Sequence, residues 1–148
     1  MELTMTSSSV GVDPAFHDKL EEARQFTDEY IRPNASAFEK AKGFPKSLVK
    51  QMAERGFLGA AIPEKYGGLG MDPVTYGFFT QEIGKGCSSV RSLITVHTSL
   101  VSQSILRWGT DTQKEELLGD LARGYKIAAF ALSEPNIGSD ARNVETTY

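Results

Sequence analysis

From Pro14 onward, apolar side chains recur every three or four positions. Phe16, Leu20, Ala23, Phe26 or Thr27, and Tyr30 fall on one side of a helix. Asp13 is placed to cap it, and Pro14 fits its first turn, where an amide hydrogen is not needed. Pro33 lacks a donor that a helix interior requires, so it ends or kinks this helix, with a short continuation over 35–40 before Gly43. A second helix starts at Pro45, buries Leu48, Val49, Met52 and Ala53, and stops at Gly56. FLGAAIPEKYGGLGMD is too rich in glycine for a long regular element and predicts an ordered loop, with Gly67, Gly68 and Gly70 supplying unusual backbone angles. Asp72 and Pro73 open a third helix through Phe79, Glu82 and Ile83, closed by Gly84 and Gly86. Ser88 or Ser89 caps a fourth that runs to Trp108. Val90, Leu93, Ile94, His97, Val101, Ser104, Ile105 and Trp108 line one face of it, and Leu100 widens that face. A helix this apolar lies centrally in a bundle or partly faces a ligand. Thr110 and Gln113 fit a capping box for a fifth helix, which buries Leu117, Leu118, Leu121 and Ala122 and closes at Gly124.

The period then changes. Ile127–Leu132 reads IAAFAL, short, apolar and abruptly ended by the turn-rich SEPNIGSD. That pattern predicts a strand followed by a loop. A lone strand cannot bury itself, so the chain reads as a molecule cut short at the start of a sheet. The expected fold is mainly α: an antiparallel bundle of about five helices over 14–124, then the first strand of a β-domain over 125–148. Residues 1–13, rich in serine and threonine, read as a disordered tail.

Composition narrows the partners. The 148 residues are 40% hydrophobic and 24% charged, with a formal net charge of −3. The 16 basic residues form no stripe, which argues against nucleic acid and anionic membranes. Neither a secretory leader nor a long apolar run is present, and the expected location is cytoplasmic. Cys87 is the single cysteine, so no internal disulfide can form, and its expected place is half-buried at a helix junction.

SEPNIGSD places Ser133, Gly138 and Ser139 at one edge of a strand. Hydroxyls, free backbone amides and glycines there suit an anionic or phosphate-bearing ligand, although most such turns are only turns. The spacing matches no P-loop or dinucleotide fingerprint. His97 lies among apolar neighbours with no carboxylate or nucleophile to partner it, which favours a satisfied core or cavity histidine over a catalytic one. Glu64, Lys65 and Tyr66 belong to a structural loop.

Four stretches in order carry a family resemblance. FALSEPNIGSD resembles the aromatic–x–apolar–Thr/Ser–Glu–Pro–x–x–Gly–Ser–Asp segment of acyl-CoA dehydrogenases. IPEKYGGLGMD, VHTSL and GTDTQKEELLGDLARG resemble that family's glycine loop, fourth-helix centre and Gln-Lys helix. The likeness covers residues 14–148. It implies an FAD enzyme that dehydrogenates an acyl thioester, removing the α-proton with a glutamate while the β-hydride passes to flavin. It places Phe130 beside the flavin, the amides of Leu132 and Ser133 and the Ser133 hydroxyl at the ring's polar edge, and Gly138 and Ser139 near the diphosphate. Ser139 would also touch the acyl carrier arm, and Leu93, Val96 and Leu100 would line the acyl cavity. Ser133 stands where threonine is commoner, and Asn136-Ile137 is bulkier than the usual pair.

The family's catalytic glutamate lies beyond Tyr148, so no catalytic residue is assigned in this chain, and the 148 residues alone are expected to be inactive. The resemblance also implies an acyl-CoA or acyl-carrier-protein substrate, an acceptor such as an electron-transfer flavoprotein, and a homo-oligomer, in this family a homotetramer. CSSVRSLITVH loosely resembles carrier-protein enzymes of polyketide extender-unit assembly. A non-catalytic helical interaction module and an oxygen-using oxidase are the competing readings.

Overall fold

The computed structural model describes residues 11–147. Asp13 caps the entry: its carboxylate accepts the Ala15 amide at 2.9 Å, Pro14 opens a short 3-10 turn, and α1 follows over His17–Phe26. The helix then widens into a π turn, Thr27–Ile31. The wider turn lets Phe26, Thr27 and Ile31 all face inward, so both members of the Phe26/Thr27 pair are buried. Pro33 sits in a 3-10 turn, Arg32–Asn34, and the chain resumes as α2, Ala35–Ala41. The α-helix is thus interrupted at Pro33, with the short continuation behind it. α3, Lys46–Glu54, ends at Arg55 ahead of Gly56, whose φ of +76° is the left-handed turn that glycine permits.

α4, Pro73–Gly84, is capped by Asp72, which accepts the amides of Val74 at 2.8 Å and Thr75 at 3.2 Å. α5 (Ser88–Ile94), a π turn (Thr95–Ser102) and α6 (Gln103–Trp108) follow one another without a break. α7, Asp111–Ala122, carries a complete capping box: the Gln113 amide donates to Thr110 Oγ1 at 3.2 Å and the Thr110 amide to Gln113 Oε1 at 2.8 Å. Counting α1–α2 and α5–α6 as one bent rod each, the described residues form a mainly α bundle of about five helices.

The larger core packs α1, α3, α4 and α5 around Phe26, Phe57 and Phe79, whose rings meet edge to face at 5.6 Å and 5.2 Å. A smaller cluster joins Ile62 of the glycine loop to Leu118, Leu121 and Ala122 of α7, with Ile105, Leu106 and Ala128 at its margin. The glycine loop is ordered, as expected. It makes 3-10 turns at Phe57–Gly59 and Glu64–Tyr66 and is tied by the amides of Leu69, Gly70 and Met71 donating to Gly59, Ile62 and Ala60.

Four expectations need correction. Among the described residues no strand forms: Ile127–Leu132 pairs with nothing, and only an isolated antiparallel bridge joins Glu134 to Ile137. A ladder needs a second segment, and none of these residues supplies one. The tail reading of residues 1–13 fails at its inner end, because Val12 is 6% exposed in the larger core and the Asp13 amide donates to Thr75 Oγ1 at 3.3 Å; residues 1–10 lie outside the described residues. Neither Ser88 nor Ser89 caps the fourth helix, since Cys87 takes that position without a side-chain bond. Finally, the buried face of that helix runs through Val90, Ile94, His97, Thr98 and Ser102, whereas Trp108 is 77% exposed. The π turn rotates the register, and a face projected at 3.6 residues per turn leaves the core beyond it.

Candidate functional site

Four hydroxyls in and just beyond the π turn of the fourth helix, those of Thr95, Thr98, Ser102 and Ser104, donate to backbone carbonyls. Thr95 Oγ1 donates to Arg91 O at 2.9 Å, Ser102 Oγ to His97 O at 2.8 Å and Ser104 Oγ to Leu100 O at 2.7 Å. Thr98 Oγ1 reaches across to Leu58 O at 2.9 Å and ties the helix to the loop after α3. The Ser102 bond spans five residues and so takes up a carbonyl of the widened turn.

His97 is fully buried in this turn. Its Nε2 lies 3.0 Å from Leu121 O, and its Nδ1 lies 3.1 Å from the Ala128 amide. A carbonyl can only accept and an amide can only donate, so the ring is neutral with its hydrogen on Nε2. Burial holds its pKa below the ordinary 6.5, opposed in part by the bond to Leu121. His97 is therefore the satisfied core histidine that its neighbours suggested.

After α7 the chain turns at Gly124, whose amide donates to Leu121 O, and the amides of Tyr125 and Lys126 return to Asp120 O. Lys126 Nζ also meets the Asp120 carboxylate at 2.8 Å. Beyond Lys126 the side chains named for the site turn outward, while Ala128 packs against the smaller cluster. Phe130 is 43% exposed and Leu132 45%, and Ser133, Gly138 and Ser139 are exposed as well. Among the described residues nothing accepts the amides of Leu132 or Ser133. A tight turn follows, in which the Glu134 amide donates to Ile137 O at 2.9 Å and the Ile137 amide to Glu134 O at 3.1 Å. Gly138 sits just past it with open space where a β-carbon would stand.

The Glu134 carboxylate receives the amides of Glu145 at 2.7 Å and Thr146 at 2.9 Å, folding the following segment back onto the turn. Hydrogen bonds from Thr146 and then Glu145 hold its pKa below the usual carboxylate value. A carboxylate occupied in this way is a structural acceptor and a poor base.

The expected acyl-cavity residues separate by position. Leu93 packs against the larger core, Val96 is half-buried and Leu100 is 41% exposed. None of the three lines the cleft of about 780 Å³ that the pattern of the sequence did not disclose, which is walled by Ala61, Pro63, Met71, Tyr76, Ser99 and Gln103. The Gln103 amide donates to Ala61 O at 3.0 Å and closes one end. Ser99 and Gln103, four residues apart, face this cleft from one side of the fourth helix. Among the described residues no group of three His, Cys, Asp or Glu side chains is placed to hold a metal ion, and no helix is long and apolar enough to cross a membrane.

Residues 16–125 match the family model described as acyl-CoA dehydrogenase, N-terminal domain. An acyl-CoA dehydrogenase of Bacillus subtilis (strain 168) is 40% identical over 124 residues, covering 84% of this chain and 33% of the relative. The mitochondrial short-chain specific acyl-CoA dehydrogenase of Rattus norvegicus is 38% identical over 135 residues, 90% of this chain and 33% of the relative. Among solved structures, a glutaryl-CoA dehydrogenase from Mycobacterium smegmatis in complex with FADH2 superposes with a TM-score of 0.83 at 33% identity, over 93% of this chain and 35% of that one. The chain thus spans about a third of the length of the relatives it matches.

Proposed function

Because this chain belongs to the acyl-CoA dehydrogenase family, we propose that it forms the front part of an FAD-dependent enzyme that dehydrogenates an acyl thioester. In this reading residues 14–124 are the N-terminal helical domain and 125–148 begin a flavin-binding β-domain. The observation that carries it is the outward edge at Phe130–Ser133. An aromatic and an apolar side chain stand exposed there beside two amides that no described residue engages. A planar, polar-edged heterocycle satisfies both needs at once, and Gly138 leaves room for a phosphate to approach the backbone. That chemistry supports FAD as the group bound.

When bound, FAD would supply the hydride acceptor. Phe130 would pack against the ring, and the amides of Leu132 and Ser133, with the Ser133 hydroxyl, would stabilise negative charge gathering at its polar edge. Gly138 and Ser139 would hold the diphosphate, with Ser139 also reaching the acyl carrier arm. Val96 and Leu100 would line the acyl group and keep water from it, backed by Leu93. The family resemblance assigns the α-proton to a glutamate outside these 148 residues, and Glu134, engaged by Glu145 and Thr146, is not offered for that role. Electrons would leave through an acceptor such as an electron-transfer flavoprotein, from a homo-oligomeric enzyme.

The test is to purify the full-length protein, record its flavin absorbance and follow bleaching by acyl thioesters. CoA and carrier-protein thioesters assayed side by side identify the carrier. A protein without flavin after incubation with FAD would sink the proposal. Ser133→Ala should weaken flavin binding or slow its reduction by about one hydrogen bond, on the order of 1 kcal/mol.

A further inference from the structure

We infer that His97 is the positioning residue for the flavin segment, setting through its Nδ1 atom which side of residues 128–133 faces the cofactor. Backbone bonds to Asp120 fix the chain through Lys126, and the reciprocal turn fixes it again at Glu134. Between these points, one hydrogen bond among the described residues holds the segment: the Ala128 amide donating to His97 Nδ1 at 3.1 Å. In an extended chain side chains alternate, so a backbone amide held at Ala128 sets the register of Phe130 and Leu132 behind it, and a slip of one residue would reverse their side.

The anchor is itself held. Nε2–H of His97 donates to Leu121 O at 3.0 Å, and the His97 carbonyl accepts Ser102 Oγ–H at 2.8 Å. The imidazole thus joins the fourth helix to the end of α7, 24 residues on, and to the outgoing segment, 31 residues on. Val96, assigned above to the acyl face, is its neighbour in sequence, so one turn of helix registers both the proposed substrate wall and the proposed flavin segment. The flavin half of this inference rests on the proposed function; the anchoring half does not.

Asparagine and glutamine divide the two roles of the ring. The side-chain oxygen of an asparagine at this position stands near the place of Nδ1, and the side-chain amide of a glutamine near that of Nε2. In the full-length protein, His97→Gln should keep the bond to Leu121 and free the Ala128 amide, raising its hydrogen exchange roughly tenfold or more and weakening FAD binding by a similar factor. His97→Asn should keep Ala128 exchange and FAD affinity near wild type while giving up the bond to Leu121. Unchanged Ala128 exchange in the glutamine variant, or equal losses of FAD affinity in both, would overturn the inference.

If either variant fails to fold, the wild-type protein decides by itself. Nitrogen-15 imidazole shifts must show the neutral ring protonated at Nε2, and a proton on Nδ1 excludes the anchor. Should wild type bind no FAD, the proposed function falls. The exchange difference at Ala128 would still stand or fall separately.

Discussion

Gly67, Gly68 and Gly70 sit in one loop for different reasons. Gly67 and Gly70 have φ of +81° and +66°, which side chains rarely adopt. Gly68 does not; a β-carbon there would overlap the carbonyl of Ile62. The loop folds back on itself too closely to admit any side chain. Gly68→Ala should therefore cost stability by about 1–3 kcal/mol, at the upper end because the obstacle is backbone. A urea midpoint comparison with wild type checks it, and an unchanged midpoint would mean that the loop packs less closely. His97 gives a second prediction at this scale. Its folded-state pKa lies below the ordinary 6.5. Under acid the unfolded chain takes up a proton that the native ring refuses, so stability is fully present above pH 6.5 and falls as pH drops beneath it. Urea unfolding between about pH 5 and 6.5 should show that slope in wild type and a flatter one in His97→Asn.

At the scale of elements, the capping signals proved local and legible. Asp13, Asp72 and Thr110 all stand where the sequence placed helix starts, because the bond each makes spans only two or three residues. Thr110→Ala should destabilise by about 1 kcal/mol and speed amide exchange in the first turn of α7 alone. Loss spread over the whole bundle would mean that Thr110 does more than cap. The two π turns were not legible. Thr27–Ile31 and Thr95–Ser102 are locally helical in sequence. What favours the wider turn at 95–102 is a set of partners set at a distance: Leu58 O for Thr98, and Leu121 O with the Ala128 amide for His97.

For the whole molecule, Val96→Phe separates two uses of the fourth helix. Val96 is half-buried and its neighbour Leu100 is 41% exposed, so the outer face of the π turn has room that the core side lacks. If Val96 lines an acyl cavity as proposed, in the full-length protein the phenyl ring should shift preference towards shorter acyl groups with little change in melting temperature. A melting temperature that falls as overpacking requires, at a cost of about 1–3 kcal/mol with unaltered preference, would make Val96 plain core. Chain-length activity series run beside melting curves give the answer.

The sequence by itself determined five helices, three of their caps, the interruption at Pro33, the ordered glycine loop and the family, since each rests on residues near one another in the chain or on motifs in fixed order. Only the tertiary structure decided the register of the fourth helix beyond Ile94, the burial of Val12, the cleft beside Tyr76 and Ser99, and the two engagements of His97. The hydrogen bonds that accompany them join groups from 24 to 62 residues apart. The strand expected at Ile127–Leu132 marks the same boundary. Its apolar run is written in the sequence, but a strand exists only through the partner that pairs with it.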